Sequence, residues 1–134
     1  MRVFADAFFY VALINRNDEH HARVMEWARG FHGEIVTTQW VLTEVADAFA
    51  ESRTRRQLKA GFEALANDSA TRIIEVSPAH FTRGMSLYNE RPDKAWSLTD
   101  CISFVVMSDE GITEALTGDH HFEQAGFVAL LAQA

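Results

Sequence analysis

Short apolar runs alternate along this chain with longer stretches of helical periodicity, and that alternation limits the folds open to it more than any other feature. The short runs are Arg2–Ala5, Glu34–Thr38, Thr71–Val76, Thr113–Thr117 and Phe127–Leu130. Between them, apolar residues recur every three to four positions, as Val24, Met25, Ala28 and Phe31 do between about Glu19 and Phe31. Strands separated by helices imply a mostly parallel sheet covered on both faces. The expected helices are Ala7–Ile14, 19–31, Gln39–Glu51, one after Ser52 carrying Leu58, Phe62 and Leu65, one from Pro78 to about Asn89, and Ser97–Asp109. Ser77-Pro78 reads as an N-cap followed by proline at the first helical position, and Gly118–Gln124 as a turn or short helix. The fold class is therefore α/β, a three-layer α/β/α sandwich forming one domain over 1–134.

Composition narrows the function. No run of 18 apolar residues exists, which excludes a membrane-spanning helix, and Asp6 arrives too soon for a secretory segment. The lone cysteine, Cys101, forbids an internal disulfide framework and fits a reducing cytoplasm. No glycine-rich phosphate loop is present. The formal charge is −7, from 12 basic and 19 acidic residues. Alone, that balance argues against nucleic acid as a partner. The objection weakens if several carboxylates converge on divalent cations.

Four acidic residues stand in telling places. In open α/β sheets the ligand crevice lies beyond the carboxyl ends of the strands. Asp6 follows the first strand and Asp119 follows the fourth; each also reads as a cap or turn residue. On helix Gln39–Glu51 the apolar arc runs through Val41, Leu42, Val45, Ala46 and Phe49, and Glu44 sits at the edge of the polar stripe. Helix Ser97–Asp109 is apolar in nearly every direction, as a buried helix is, yet Asp100 lies in its first turn. Asp100 is either the acidic half of a capping box with Ser97 or a buried carboxylate that needs a partner or a metal. Oxygen-only ligands suit Mg²⁺ or Mn²⁺.

The segments VFAD at 3–6, TTQWVLTEV at 37–45, WSLTDCISFVVM at 96–107 and ALTGDHHFEQAGF at 115–127 together resemble the PIN-domain family, in its VapC-like toxin branch. The resemblance covers nearly the whole chain, and the last two segments are the more specific. It implies an endoribonuclease that is the toxin of a toxin–antitoxin pair. Asp6, Glu44, Asp100 and Asp119 match the family's catalytic acidic cluster, with Asp6, Asp100 and Asp119 chiefly binding Mg²⁺ or Mn²⁺ and Glu44 binding metal or orienting water. Thr117 matches a hydroxyl residue beside the cluster. The implied partners are RNA, a cognate antitoxin and a second copy of the chain, for which Trp27 with Phe31 is candidate surface. Ala7 and Phe8 depart from the pattern, which often carries Thr or Ser there. A stand-alone PIN nuclease of RNA processing, or an inactive PIN-like binding subunit, is the alternative.

Other features carry weaker signals. Arg53, Arg55, Arg56 and Lys59 form either a solvated helix face or an RNA-backbone contact. His20-His21 and His120-His121 are adjacent pairs, which helix geometry points apart; His120 or His121 could touch a phosphate near Asp119, but exposed loop histidines are commoner. Cys101 reads as a small core residue with no base to activate it. An aspartyl phosphatase would want a second acid two residues after Asp6, where Phe8 stands.

Overall fold

The computed structural model describes residues 1–132; the last two positions of the expected 1–134 domain lie outside the described residues. Strand β1 (Arg2–Ala5) passes through Asp6 into helix α1 (Ala7–Ile14), followed by α2 (His21–Gly30). Strand β2 (Glu34–Thr38) runs straight into α3 (Gln39–Ala48), then α4 (Ser52–Ala66) and β3 (Thr71–Ile74). Helices α5 (Pro78–Glu90) and α6 (Leu98–Glu110) precede β4 (Glu114–Leu116), the short α7 (His120–Gln124) and β5 (Val128–Ala129).

The strands lie in the order β3-β2-β1-β4-β5, and every pairing is parallel. Parallel neighbours need crossovers, and crossovers are right-handed. The path β1 to β2 to β3 moves toward one edge, whereas β3 to β4 to β5 returns toward the other. Right-handedness thus sets α1 to α4 on one face and α5 to α7 on the opposite one, which gives the three layers. The order reverses beside β1, so the crevice opens between β1 and β4 at their carboxyl ends.

Burial on both faces explains why the central strands are continuous apolar runs. Val3, Phe4, Ala5, Val36, Ala115 and Leu116 are fully buried. Helix α6 hides Cys101, Ile102, Phe104, Val106 and Met107, and removing side chains of that size from water contributes roughly 1.5–3 kcal/mol each. Cys101 is a buried free thiol. Among the described residues no helix is long and apolar enough to cross a membrane.

Several boundaries differ from the expected ones for physical reasons. Helix α3 stops at Ala48, short of Glu51, because Phe49 leaves the helix and plugs the core at 2% exposure. Glu51 instead holds the N-cap position of α4. Strand β3 ends at Ile74 because the Val76 amide donates to the Gln39 Oε1 side chain at 2.7 Å and not to a strand. β5 shrinks to Val128–Ala129 at a sheet edge, where a short strand limits unwanted pairing.

Candidate active site

The crevice between β1 and β4 is shaped by hydroxyl groups. Thr37 Oγ1 donates to the Ala5 carbonyl at 2.9 Å, tying the carboxyl ends of β2 and β1 together. Thr38 caps α3 by accepting from the Val41 amide at 3.1 Å, which fixes where Glu44 stands one turn later. Thr117, fully buried, donates to Asp6 Oδ2 at 3.0 Å and accepts from the Asp119 amide at 3.0 Å. One threonine thereby sets the position of two carboxylates.

Each acidic residue has a distinct setting. Asp6 is 6% exposed and its side chain makes no capping bond to α1, so the cap reading fails for it. Asp100 forms the full capping box: Ser97 Oγ accepts from the Asp100 amide at 3.0 Å, and Asp100 Oδ2 accepts from the Ser97 amide at 3.1 Å. Asp119 caps α7 through Oδ1, which accepts from the His121 amide at 2.9 Å. Asp119 caps with Oδ1 and turns Oδ2 toward His121, whereas Asp100 uses Oδ2 both for its cap and for its approach to His121. Glu44 is exposed at the rim.

Electrostatics ties the four together. Burial pushes the Asp6 carboxyl up to about 7, with the negative charges of Asp100 and Glu44 adding to the push and the Thr117 hydroxyl opposing it. Glu44 is raised by desolvation and then by Asp100 and Asp119. Asp100 is raised by desolvation and by Asp119, against the pull of its Ser97 bonds and of His121. Among the described residues no Lys or Arg forms an ion pair with any of the four.

His121 is the residue that sequence reasoning undervalued. Its Nδ1 lies 3.3 Å from Asp100 Oδ2 and 3.3 Å from Asp119 Oδ2, and its side chain is only 20% exposed. The pair does not point apart as helix geometry suggested: the two ring centroids lie 4.6 Å apart and both rings bring a nitrogen within 4.8 Å of Asp119, although the His120 side chain is 72% exposed. Choosing the inward member required knowing that Asp119 caps α7. An aromatic chain holds α7 in place: Trp96 meets Phe104 edge-on at 5.1 Å, and Phe104 meets Phe122 at 4.9 Å. Trp96 Nε1 also donates to Gln124 Oε1 at 3.1 Å.

The tightest group of ligand-type atoms among the described residues is Asp119, His120 and His121, mutually within 4.8 Å. The departure at Phe8 is structural. Its ring covers Gly118, where an added Cβ would fall 2.9 Å from Phe8 Cζ, so only glycine fits between Thr117 and Asp119 without displacement.

The basic helix residues stand apart from this group. Arg53 pairs with Glu51 at 3.4 Å, Arg55 Nε donates to the Ala50 carbonyl at 2.8 Å, and Lys59 approaches Glu63 at 4.0 Å. Arg56 lines a groove of about 740 Å³ with Tyr10, Leu13, Gln57, Gly61 and Leu65. Trp27 and Phe31 stack at 4.7 Å and pack against the core, while Phe81 and Tyr88 on α5 are about half exposed.

Comparison with known proteins adds the following. A family model described as PIN domain matches residues 3–128. No curated protein sequence matches the chain significantly. The fold is similar to that of Mycobacterium tuberculosis VapC20, described as a sarcin-ricin loop cleaving toxin, with TM-score 0.87 and 24% identity over 96% of this chain and 98% of that one. VapBC2 from Rickettsia felis, bound to a DNA fragment from its promoter, gives 0.67 and 16% over 96% of each chain. FitAcB from Neisseria gonorrhoeae gives 0.65 and 16%, over 96% of this chain and 95% of that one.

Proposed function

The chain belongs to the PIN-domain family, and from that premise we propose that it is a divalent-metal-dependent endoribonuclease, the toxin of a toxin–antitoxin pair. The observation that carries the reading is the set of Asp6, Glu44, Asp100 and Asp119, electrostatically coupled around one crevice with no Lys or Arg paired to them among the described residues. Buried carboxylates left so cost stability unless a cation joins them. The donor set is mainly hard oxygen, which fits Mg²⁺ or Mn²⁺. Asp6, Asp100 and Asp119 would hold the ion, with Glu44 holding it or orienting water.

Such an ion, when bound, lowers the pKa of a coordinated water and offsets charge on a phosphodiester. The protein's own groups do the rest. Thr117 holds Asp6 in register with Asp119. The capping bonds of Asp100 and Asp119 keep their carboxylates aimed before substrate arrives. Glu44 at the rim would accept a proton from, or orient, the attacking water, and burial with the nearby Asp100 and Asp119 charges raises its pKa, which makes it a stronger base than a free carboxylate. The Phe8 ring packs over Gly118, between the two crevice residues Thr117 and Asp119.

An antitoxin partner is supported by the likeness to structures of VapBC and FitAB antitoxin complexes. The groove between α1, α2 and α4 suits a helix of that partner: its floor is apolar, and the buried Tyr10 hydroxyl and Gln57 Oε1 lack hydrogen-bond partners in it. Phe81 and Tyr88, seven residues apart on α5, offer a homodimer face, and the reduced, buried Cys101 fits a cytoplasmic setting. Arg53, Arg55 and Lys59 remain candidates for RNA-backbone contact.

The test is cleavage of single-stranded and structured RNA, including a sarcin–ricin loop oligonucleotide, with Mg²⁺ or Mn²⁺ and with chelator. Cleavage that chelator stops is expected; an inert protein with both metals overturns the reading.

A further inference from the structure

The ring of His121 carries a polar atom that its neighbours leave unbonded. Its Nδ1 is buried and has no hydrogen-bond partner, although two carboxylate oxygens, Asp100 Oδ2 and Asp119 Oδ2, each lie 3.3 Å away. A ring donating a proton would aim at one oxygen; this nitrogen sits between both and bonds to neither. Neighbouring donors around an octahedral ion with bonds of about 2.1 Å stand roughly 3 Å apart. At 3.3 Å the nitrogen is within ion-pair range of each oxygen, and a spacing of about 3 Å to two oxygens at once is also that of neighbouring ligands around one ion. The aromatic chain from Trp96 to Phe122 and the Trp96–Gln124 bond hold α7 against α6, so this placement is fixed by packing.

Resting on the metal-nuclease reading, we propose that His121 supplies a nitrogen donor to the divalent-ion site and tilts its preference toward Mn²⁺ over Mg²⁺. Mg²⁺ takes oxygen ligands and sheds water reluctantly, whereas a first-row transition ion accepts imidazole. His120, whose Nδ1 is 3.6 Å from Asp119 Oδ1 and which belongs to the same close group of ligand-type atoms, is the rival donor that the test separates from His121.

The test uses the full chain loaded with Mn²⁺ and pulsed electron paramagnetic resonance. Nitrogen modulation of the Mn²⁺ signal is expected, changing when the histidines carry ¹⁵N, persisting in His120→Ala and vanishing in His121→Gln. By calorimetric titration, His121→Gln is expected to weaken Mn²⁺ binding by at least about tenfold and Mg²⁺ binding by less than about threefold. Labelling the unmutated protein keeps the result independent of whether the variants fold. Mn²⁺ bound without nitrogen coupling, or coupling that is lost in His120→Ala and kept in His121→Gln, overturns the role of His121 and leaves the metal reading standing. Failure of the unmutated protein to bind either ion overturns both.

Discussion

The two ends of the sheet treat acidic residues in opposite ways. At the amino end, Arg2 reaches Glu34 Oε1 at 3.0 Å and Glu110 Oε1 at 2.7 Å, and Arg72 joins the same Glu110 oxygen. Bonds to Arg2 and Arg72 hold the Glu110 carboxyl below its ordinary range, and Arg83 does the same for Asp109 on the outside of α6. At the carboxyl end, Asp6, Glu44 and Asp100 are all raised, burial being the first cause each time. The chain has 12 basic residues, and the arginines that bond carboxylates most closely do so away from the crevice. A net charge of −7 is thus not evenly spread repulsion; part of it is concentrated where a cation would cancel it.

The largest effect that would break this comparison is on cleavage. Asp100→Asn keeps most of the capping box but removes a carboxylate, so RNA cleavage should fall by more than about a hundredfold, beyond the 10–100-fold typical of losing a mere outer partner of a metal ligand. Retained cleavage would mean that Asp100 is only a cap. Next comes pH. The Asp6 carboxyl sits at about 7 in the fold against 3.8 in an unfolded chain. The folded state therefore binds that proton more tightly, and stability falls as pH climbs from about 4 to about 7. At about 1.4 kcal/mol per unit the ceiling is roughly 4 kcal/mol. In chelator, Asp6→Asn should gain stability over the original protein across that window, measured by denaturant melts. A constant gap across pH would sink the claim.

How much of this could be read in the sequence follows the same division between local and distant causes. β1, α1 and β2 fall where expected, Arg2–Ala5, Ala7–Ile14 and Glu34–Thr38, because strand burial and helix onset are written in adjacent residues. The Ser77 and Ser97 caps were visible for the same reason: each cap and its target amide are three residues apart. The end of α3 was not, since Phe49 fits the helical stripe as well as it fits the core hole that takes it. His121 is named in the sequence only as a residue that could touch a phosphate, because its place depends on Asp100, twenty-one positions away, across a packing of α6 on α7 that no local pattern encodes. Thr117 was named from the family pattern; that it bridges Asp6 and Asp119 is a geometric fact only the fold supplies.

Metal should restore what the crowded carboxylates cost. Mn²⁺ at about a hundred times its dissociation constant stabilises the native state by roughly 2.7 kcal/mol, which for a chain of this size is a rise in Tm of several degrees. The rise should shrink in Asp100→Asn and vanish with chelator. Thermal scans showing the same shift in both proteins would place the ion elsewhere.

The smallest effect sharpens the contrast most, because its sign is reversed. Glu110→Gln removes the hub of the amino-end network while leaving the crevice untouched. Arg2 and Arg72 are 38% and 52% exposed, so solvent screens these pairs and surface ion pairs contribute little. Tm at neutral pH should fall by no more than about 3 °C, and high salt should erase much of the difference. Glu110 has a lowered pKa in the fold; its contribution is present above the unfolded value of 4.5 and is lost as pH falls through the folded one. The Glu110→Gln and Asp6→Asn variants should therefore both diverge from the original protein as pH rises, the first becoming less stable and the second more stable. Cleavage by Glu110→Gln should be unchanged. Parallel pH melts of the three metal-free proteins measure both gaps at once, and gaps of the same sign would mean that the two ends of the sheet are not differently built.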